Sequence, residues 1–155
     1  MRALDALYQQ LILDHSKRPI GKRELAEVPG AVTASHHELN PSCGDEITLS
    51  IAVDPASGEL VDLAWEGAGC SISMASASVL SQLVRDSPSM SAADAHALIT
   101  AFREMIQSRG NTEFEPDEDL LGDAVAFQGV SKFVMRIKCA MLAWVALEAD
   151  LKKIS

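Results

Sequence analysis

The side chains best suited to chemistry are three thiols, Cys43, Cys70 and Cys139, and one carboxylate, Asp45. The stretch Asn40-Pro41-Ser42-Cys43-Gly44-Asp45-Glu46 sets a thiol, a glycine and an acid in consecutive positions behind a turn-forming Asn-Pro. Three is an odd count, and in a reducing compartment the default is no disulfide. Three thiolates and a carboxylate would make a four-ligand set. That set suits Zn²⁺, which takes sulfur and oxygen donors in a tetrahedron. It also suits an iron–sulfur cluster or iron, because soft thiolates serve both. The spacings are not those of zinc fingers. Spacing alone therefore does not choose between a metal site and three small buried hydrophobes.

The histidines offer less. His15, beside Asp14, closes a helical pattern, where the helix dipole favours an imidazolium. His36 and His37 fall in a strand pattern and point to opposite faces, so they cannot chelate one ion together. None of the three receives a functional role from the sequence.

The positioning elements are legible from periodicity. Leu4, Leu7, Tyr8, Leu11 and Ile12 recur at helical spacing, predicting a helix over about Ala3 to His15, ended before Arg18-Pro19. Gly21 to Gly30 reads as loop, and Val32 to Leu39 as a short strand. Ile47, Leu49, Ile51 and Val53 alternate with Glu46, Thr48, Ser50 and Ala52. Asp54-Pro55-Ala56-Ser57-Gly58 turns the chain, and Val61, Leu63 and Trp65 alternate again, giving an antiparallel hairpin with one buried face. Trp65 is expected in the core or at its rim. Gly67-Ala68-Gly69-Cys70 then opens a helix of small residues stopped by Asp86-Ser87-Pro88. The free N–H groups at that helix start favour a thiolate at Cys70.

Ser91-Ala92-Ala93-Asp94 predicts a capping start for a helix that ends near Gly110. Asn111 to Asp119 reads as an exposed acidic loop. The last helix, about Ser131 to Lys152, gathers Val134, Ile137, Met141, Trp144 and Val145 in one apolar arc. Cys139 falls roughly 140° round from Val134, off that arc. Arg136 shares its side of the helix and Lys138 is adjacent, surroundings that favour a thiolate. The start of one strand and the end of its antiparallel partner are neighbours, so Cys43 and Cys70 are expected at one end of the sheet. Cys139 joins them if the last helix crosses that end. The expected fold is α+β: a small antiparallel sheet of about three strands against four to five helices, in one domain over 1–155.

Bulk properties exclude some classes. The net charge of −9 argues against nucleic acid as a partner, because phosphate binding needs a cationic footprint. No apolar run approaches the ~18–20 residues of a membrane span. Met1-Arg2-Ala3-Leu4-Asp5 lacks the apolar region of a signal peptide, so a cytoplasmic location is expected.

Three segments together carry a resemblance. Asn40-Pro41-Ser42-Cys43-Gly44-Asp45, Gly67-Ala68-Gly69-Cys70-Ser71-Ile72-Ser73-Met74-Ala75-Ser76 and Arg136-Ile137-Lys138-Cys139 look like the signature segments of the IscU/NifU-like iron–sulfur cluster assembly proteins. Leu7-Tyr8 and Ile12-Leu13-Asp14-His15 look like that family's first helix. The resemblance spans nearly the whole chain in order. It is closer to the SufU branch than to the IscU scaffold type, which carries histidine where this chain has Lys138. Met105 to Asp119 looks like the extra residues of the SufU branch, and Phe127 to Phe133 is also SufU-like. The resemblance implies a zinc-bound sulfurtransferase that accepts persulfide sulfur from a SufS-type cysteine desulfurase and passes it to Fe–S assembly. By the same carry-over, Cys43, Asp45, Cys70 and Cys139 are the metal ligands and Cys43 is the sulfur acceptor. Its charge makes Arg136 a candidate for steering the anionic persulfide or orienting Asp45, against the competing reading of a surface salt bridge alone. The alternative it implies is a scaffold that builds a [2Fe–2S] cluster on the same cysteines.

Overall fold

The structure is a computed structural model that describes residues 2–42, 44–87, 89–111 and 113–154, with side chains from residue 6 onward. Cys43, the expected sulfur acceptor, lies outside the described residues, as does the side chain of Leu4. Helix α1 (Arg2–Lys17) is followed by strands β1 (Val32–Asn40), β2 (Asp45–Val53) and β3 (Leu60–Ala68). Helices α2 (Ser71–Asp86), α3 (Ala92–Gln107) and the single turn α4 (Glu118–Leu121) come next. A 3-10 helix over Gly122–Lys132 then leads into α5 (Val134–Ile154). The strands form one antiparallel sheet in the order β1-β2-β3, in which β2 and β3 are the hairpin that the alternation predicts.

The hairpin register matches the sequence pattern. Ile47, Leu49, Ile51 and Val53 all turn into the core and pair with Gly67, Trp65, Leu63 and Leu60. Trp65 is buried, its indole N–H donating to the Ile20 carbonyl at 2.9 Å. The α3 start is the expected capping box: Asp94 N–H donates to Ser91 Oγ, and Ser91 N–H returns to Asp94 Oδ2. The 3-10 helix buries Ala124, Val125, Ala126 and Phe127 under α3 and α1.

The fold turns on how closely α2 and α5 approach. The buried residues of α2 include Ser73, Ala75, Ser76, Ala77 and Ser78, side chains too small to hold a partner helix away where they face it. Ser76 Oγ donates to the Ala140 carbonyl at 2.6 Å and accepts from Trp144 Nε1 at 2.9 Å, locking the register of the two helices. Trp144 in turn stacks on Phe102 with ring centroids 4.0 Å apart. These contacts fix where along the sheet the start of α5 lies.

The apolar arc expected on α5 needs correction. Of its five residues only Trp144 is fully buried; Val134 is 63% exposed and Ile137, Met141 and Val145 are half-buried. The buried arc is instead Cys139, Ala140, Leu142, Ala143, Ala146, Leu147 and Leu151. α5 packs on α2 along one side and on β1 and β2 along another, which leaves only a narrow wet strip. Alanines contribute little to a hydrophobicity pattern, but they mark where a neighbouring backbone comes close. Cys139 therefore lies inside the buried arc, not off it.

His15 is held by a different force from the one expected. Its Nδ1 lies 2.7 Å from Ser78 Oγ, which also accepts the Ile20 N–H. Burial pushes its pKa below the ordinary value against the opposing pull of Asp123 and Asp14. From the last turn of α1, it also tethers that helix and the following loop to α2. His36 and His37 do point to opposite faces of β1, each 3.5 Å from a glutamate, Glu38 and Glu46 respectively. Among the described residues no helix is long and apolar enough to cross a membrane.

Candidate metal centre

The site forms where β1, β2, β3, α2 and α5 meet. Asn40, the last residue of β1, pairs with Asp45, the first of β2. Between them Gly44 N–H donates to the Asn40 carbonyl at 2.9 Å, and Ser42 N–H donates to Asn40 Oδ1 at 3.2 Å. Gly44 has φ +71°, a conformation that a side chain would strain. The turn therefore needs both its glycine and its asparagine. On the neighbouring strand, Glu46 pairs with Ala68, so the chain leaving β3 passes Asp45 before entering α2 at Cys70.

Asp45 is 1% exposed, which is costly for a carboxylate unless it is bonded. Its Oδ1 accepts the Cys70 N–H at 2.9 Å, and its Oδ2 accepts the Ser73 hydroxyl at 2.6 Å. The Cys70 thiol lies 3.5 Å from Oδ2. Burial alone would push the Asp45 pKa up. The hydrogen bonds from Ser73, Cys139 and Cys70 outweigh that and hold the carboxyl below its ordinary value. The first turn of α2 has no acidic residue and no side-chain cap of its own. Asp45 supplies both functions from another strand, placing negative charge where the helix dipole favours it.

Cys139 completes the cluster from α5. Its sulfur has Asn40 Nδ2 and the Met135 carbonyl at 3.9 Å, and it hydrogen-bonds Asp45. These identified neighbours are polar, not the cations expected from Arg136 and Lys138, both of which are exposed. One ligand atom each from Asp45, Cys70 and Cys139 lie within 4.8 Å of one another, close enough to share one ion. Among the described residues no other group of three such side chains does so.

The donor set fits a tetrahedral metal such as zinc: soft sulfurs with one hard oxygen, Asp45 and Cys139 buried and Cys70 half-buried. The backbone leaves room for the carboxylate only because residue 69 is glycine. A Cβ there would stand 2.5 Å from Asp45 Oδ1. Gly69→Ala is therefore expected to displace the carboxylate, lowering stability by roughly 1–3 kcal/mol through overpacking and weakening metal binding. Thermal unfolding and a zinc titration read both. Unchanged values in the two assays would show that the cradle tolerates a methyl group.

Beside the cluster a groove of about 940 Å³ runs between α1, the end of the 3-10 helix and the start of α5. Ile12, Leu13, Ile72, Val130, Phe133 and Arg136 line it, and Phe133 and Met135 are 62% and 75% exposed at its rim. Ser71 and Ile72, which directly follow Cys70, carry the groove to the edge of the cluster.

The NifU-like N terminal domain family matches residues 7–152. The chain belongs to that family. It is 42% identical over 151 residues to the zinc-dependent sulfurtransferase SufU of Bacillus subtilis, covering 97% of this chain and 92% of the relative. It is 39% identical over 150 residues to the iron–sulfur cluster assembly scaffold protein IscU of Streptococcus pyogenes, covering 97% and 86%. Among solved structures, a protein from Fervidobacterium islandicum AW-1, described as an iron–sulfur cluster assembly scaffold for the SUF system, superposes with a TM-score of 0.72. That pair is 31% identical, over 92% of this chain and 94% of the other.

Within this NifU-like frame, the expectation that Asp45, Cys70 and Cys139 converge is met. Two residues of the centre went unrecognised as such. Asn40 was legible only as a turn former, yet its side chain reaches Cys139. Ser73 was legible only as a small helix residue. Its signal was its place in the first turn, three positions after a cysteine at the helix cap.

Proposed function

We propose that this protein is a zinc-bound sulfurtransferase of iron–sulfur cluster assembly, taking sulfur from the persulfide of a SufS-type cysteine desulfurase onto Cys43. The observation that carries the reading is the convergence of buried Asp45 and Cys139 with half-buried Cys70 at the end of the sheet where the Asn40–Gly44 turn closes. The Bacillus subtilis relative and Lys138 in place of the scaffold-type histidine support it.

Cys43, Asp45, Cys70 and Cys139 would hold the metal. Zinc bound there supplies positive charge that keeps thiols deprotonated at neutral pH and has no redox chemistry of its own. The protein's own groups do the rest. The Cys43 thiolate attacks the terminal sulfur of the donor persulfide. A new S–S bond forms at Cys43, the donor S–S bond breaks, and the donor cysteine leaves as a thiolate, with no net oxidation. Arg136, exposed on the groove rim, would steer the anionic persulfide. The apolar groove would receive the desulfurase surface that presents it.

Cys43→Ser tests this. The variant is expected to abolish stimulation of the desulfurase, and mass spectrometry is expected to find the added sulfur on Cys43 of the parent and nowhere on the variant. Full stimulation by Cys43→Ser would mean that docking alone activates the partner. The similarity to the Streptococcus pyogenes scaffold favours a second reading, a [2Fe–2S] cluster on the same cysteines. Metal analysis with a visible spectrum separates the two. Colourless protein with one zinc supports transfer, whereas brown protein with iron and sulfide supports the scaffold.

A further inference from the structure

Both oxygens of Asp45 have a protein donor, and the two donors differ in kind. Oδ1 is held by the Cys70 backbone N–H, which no substitution of residue 70 other than proline removes. Oδ2 is held most closely by Ser73 Oγ, at 2.6 Å, with the Cys70 thiol farther off at 3.5 Å. Ser73 is 1% exposed, so no water replaces it freely. Oδ2 is also the oxygen turned toward the sulfur of Cys70, 3.5 Å away, and Ser73 Oγ is itself 3.5 Å from that sulfur. Ser73 thus touches two of the converging donors while offering no strong metal-binding atom of its own. A carboxylate oxygen has lone pairs enough to accept this hydroxyl and still bind an ion.

From this geometry we infer that Ser73 is a positioning residue for the metal centre, its hydroxyl fixing the rotation of the Asp45 carboxylate so that Oδ2 faces the sulfurs. The inference rests on the metal-holding part of the proposed function and adds a residue to it. Outer-shell donors of this kind orient a ligand, and their loss typically weakens metal binding about 10–100-fold. Without the hydroxyl, the carboxylate keeps its bond to Cys70 N–H and its contacts with the Cys70 and Cys139 thiols. Thiolates bound to an ion donate no proton, so in a metal-loaded site Ser73 is the identified side-chain donor left to oppose rotation.

The test is a double-mutant cycle read by Zn²⁺ affinity, in competition with a chromophoric chelator, on the full chain. Ser73→Ala is expected to weaken Zn²⁺ binding about 10–100-fold. Ser73→Thr, which restores the hydroxyl, is expected to recover most of the loss. In an Asp45→Ala background Ser73→Ala is expected to have no further effect, because its object is gone. Thermal unfolding of the metal-free variants controls for folding. An affinity within twofold of the parent overturns the inference, as does tighter binding, or an equal loss in the Asp45→Ala background. A parent that binds Zn²⁺ but accepts no sulfur refutes the transfer reading and leaves the role of Ser73 standing. A parent that binds no Zn²⁺ overturns both.

Discussion

Asp45→Ala is expected to lose zinc and a measurable part of its fold together. As the one oxygen ligand among sulfurs, Asp45 is expected from donor chemistry alone to govern metal retention or exchange more than folding. The structure gives the same carboxylate a second task. It accepts from the N–H of the half-buried cap residue Cys70 and from Oγ of buried Ser73 in the first turn of α2. Removing it strands those donors, at a cost of roughly 1–3 kcal/mol. It also takes away the negative charge facing a helix N-terminus, worth a further ~0.3–1 kcal/mol. Metal affinity should fall by more than the ~10–100-fold typical of an outer-shell partner. Asp45→Asn separates the two tasks. Its amide oxygen still accepts from Cys70 N–H, so most stability should return, while zinc binding stays weak for want of charge. Unfolding of metal-free protein and chelator competition measure each. Parent-like stability in Asp45→Ala would show that α2 does not depend on the carboxylate.

Asp150→Asn is expected to stabilise the protein, increasingly so as pH rises. Asp150 lies on α5 at 0% exposure, with no hydrogen-bond partner for either carboxylate oxygen. Burial pushes its pKa up to about 7, against a smaller opposing pull from Lys153. Lys153 itself donates to the Ser35 carbonyl on β1. An ordinary aspartate in the unfolded chain ionises near 3.8. Between these values the folded protein holds a proton that the unfolded chain has released. Stability therefore falls as pH rises through this window and is lowest above pH 7. At ~1.4 kcal/mol per pH unit the loss reaches about 4 kcal/mol as an upper bound. Asparagine mimics the protonated acid without titrating. Variant and parent should converge near pH 4 and diverge by roughly 2–4 kcal/mol at pH 8. Denaturant unfolding at several pH values checks this. A difference that does not change with pH would mean that Asp150 is not the titrating group.

The same two residues show what kind of information each level holds. The alternation from Glu46 to Val53 determined that strand and its buried face, because a period of two admits no other way to hide Ile47, Leu49 and Ile51. The Asp54–Gly58 turn then led to the expectation of Cys43 and Cys70 at one end of a hairpin, the end at which the structure brings Asp45 beside Cys70. The sequence by itself thus gave the architecture, the pairing of strands and two corners of the metal centre. The third corner was open. The hydrophobic pattern of α5 pointed Val134 and Ile137 inward, whereas the small faces of α2 and α5 turned Cys139 and Ala140 in. Helix orientation here is decided by how close two backbones can come. That depends on pairs of small residues such as Ser76 and Ala140, far apart in sequence. Ser73, Asn40 and Asp150 became visible for the same reason. Whether a polar side chain is partnered or stranded is a property of its neighbours in space, and only the tertiary structure decides who they are.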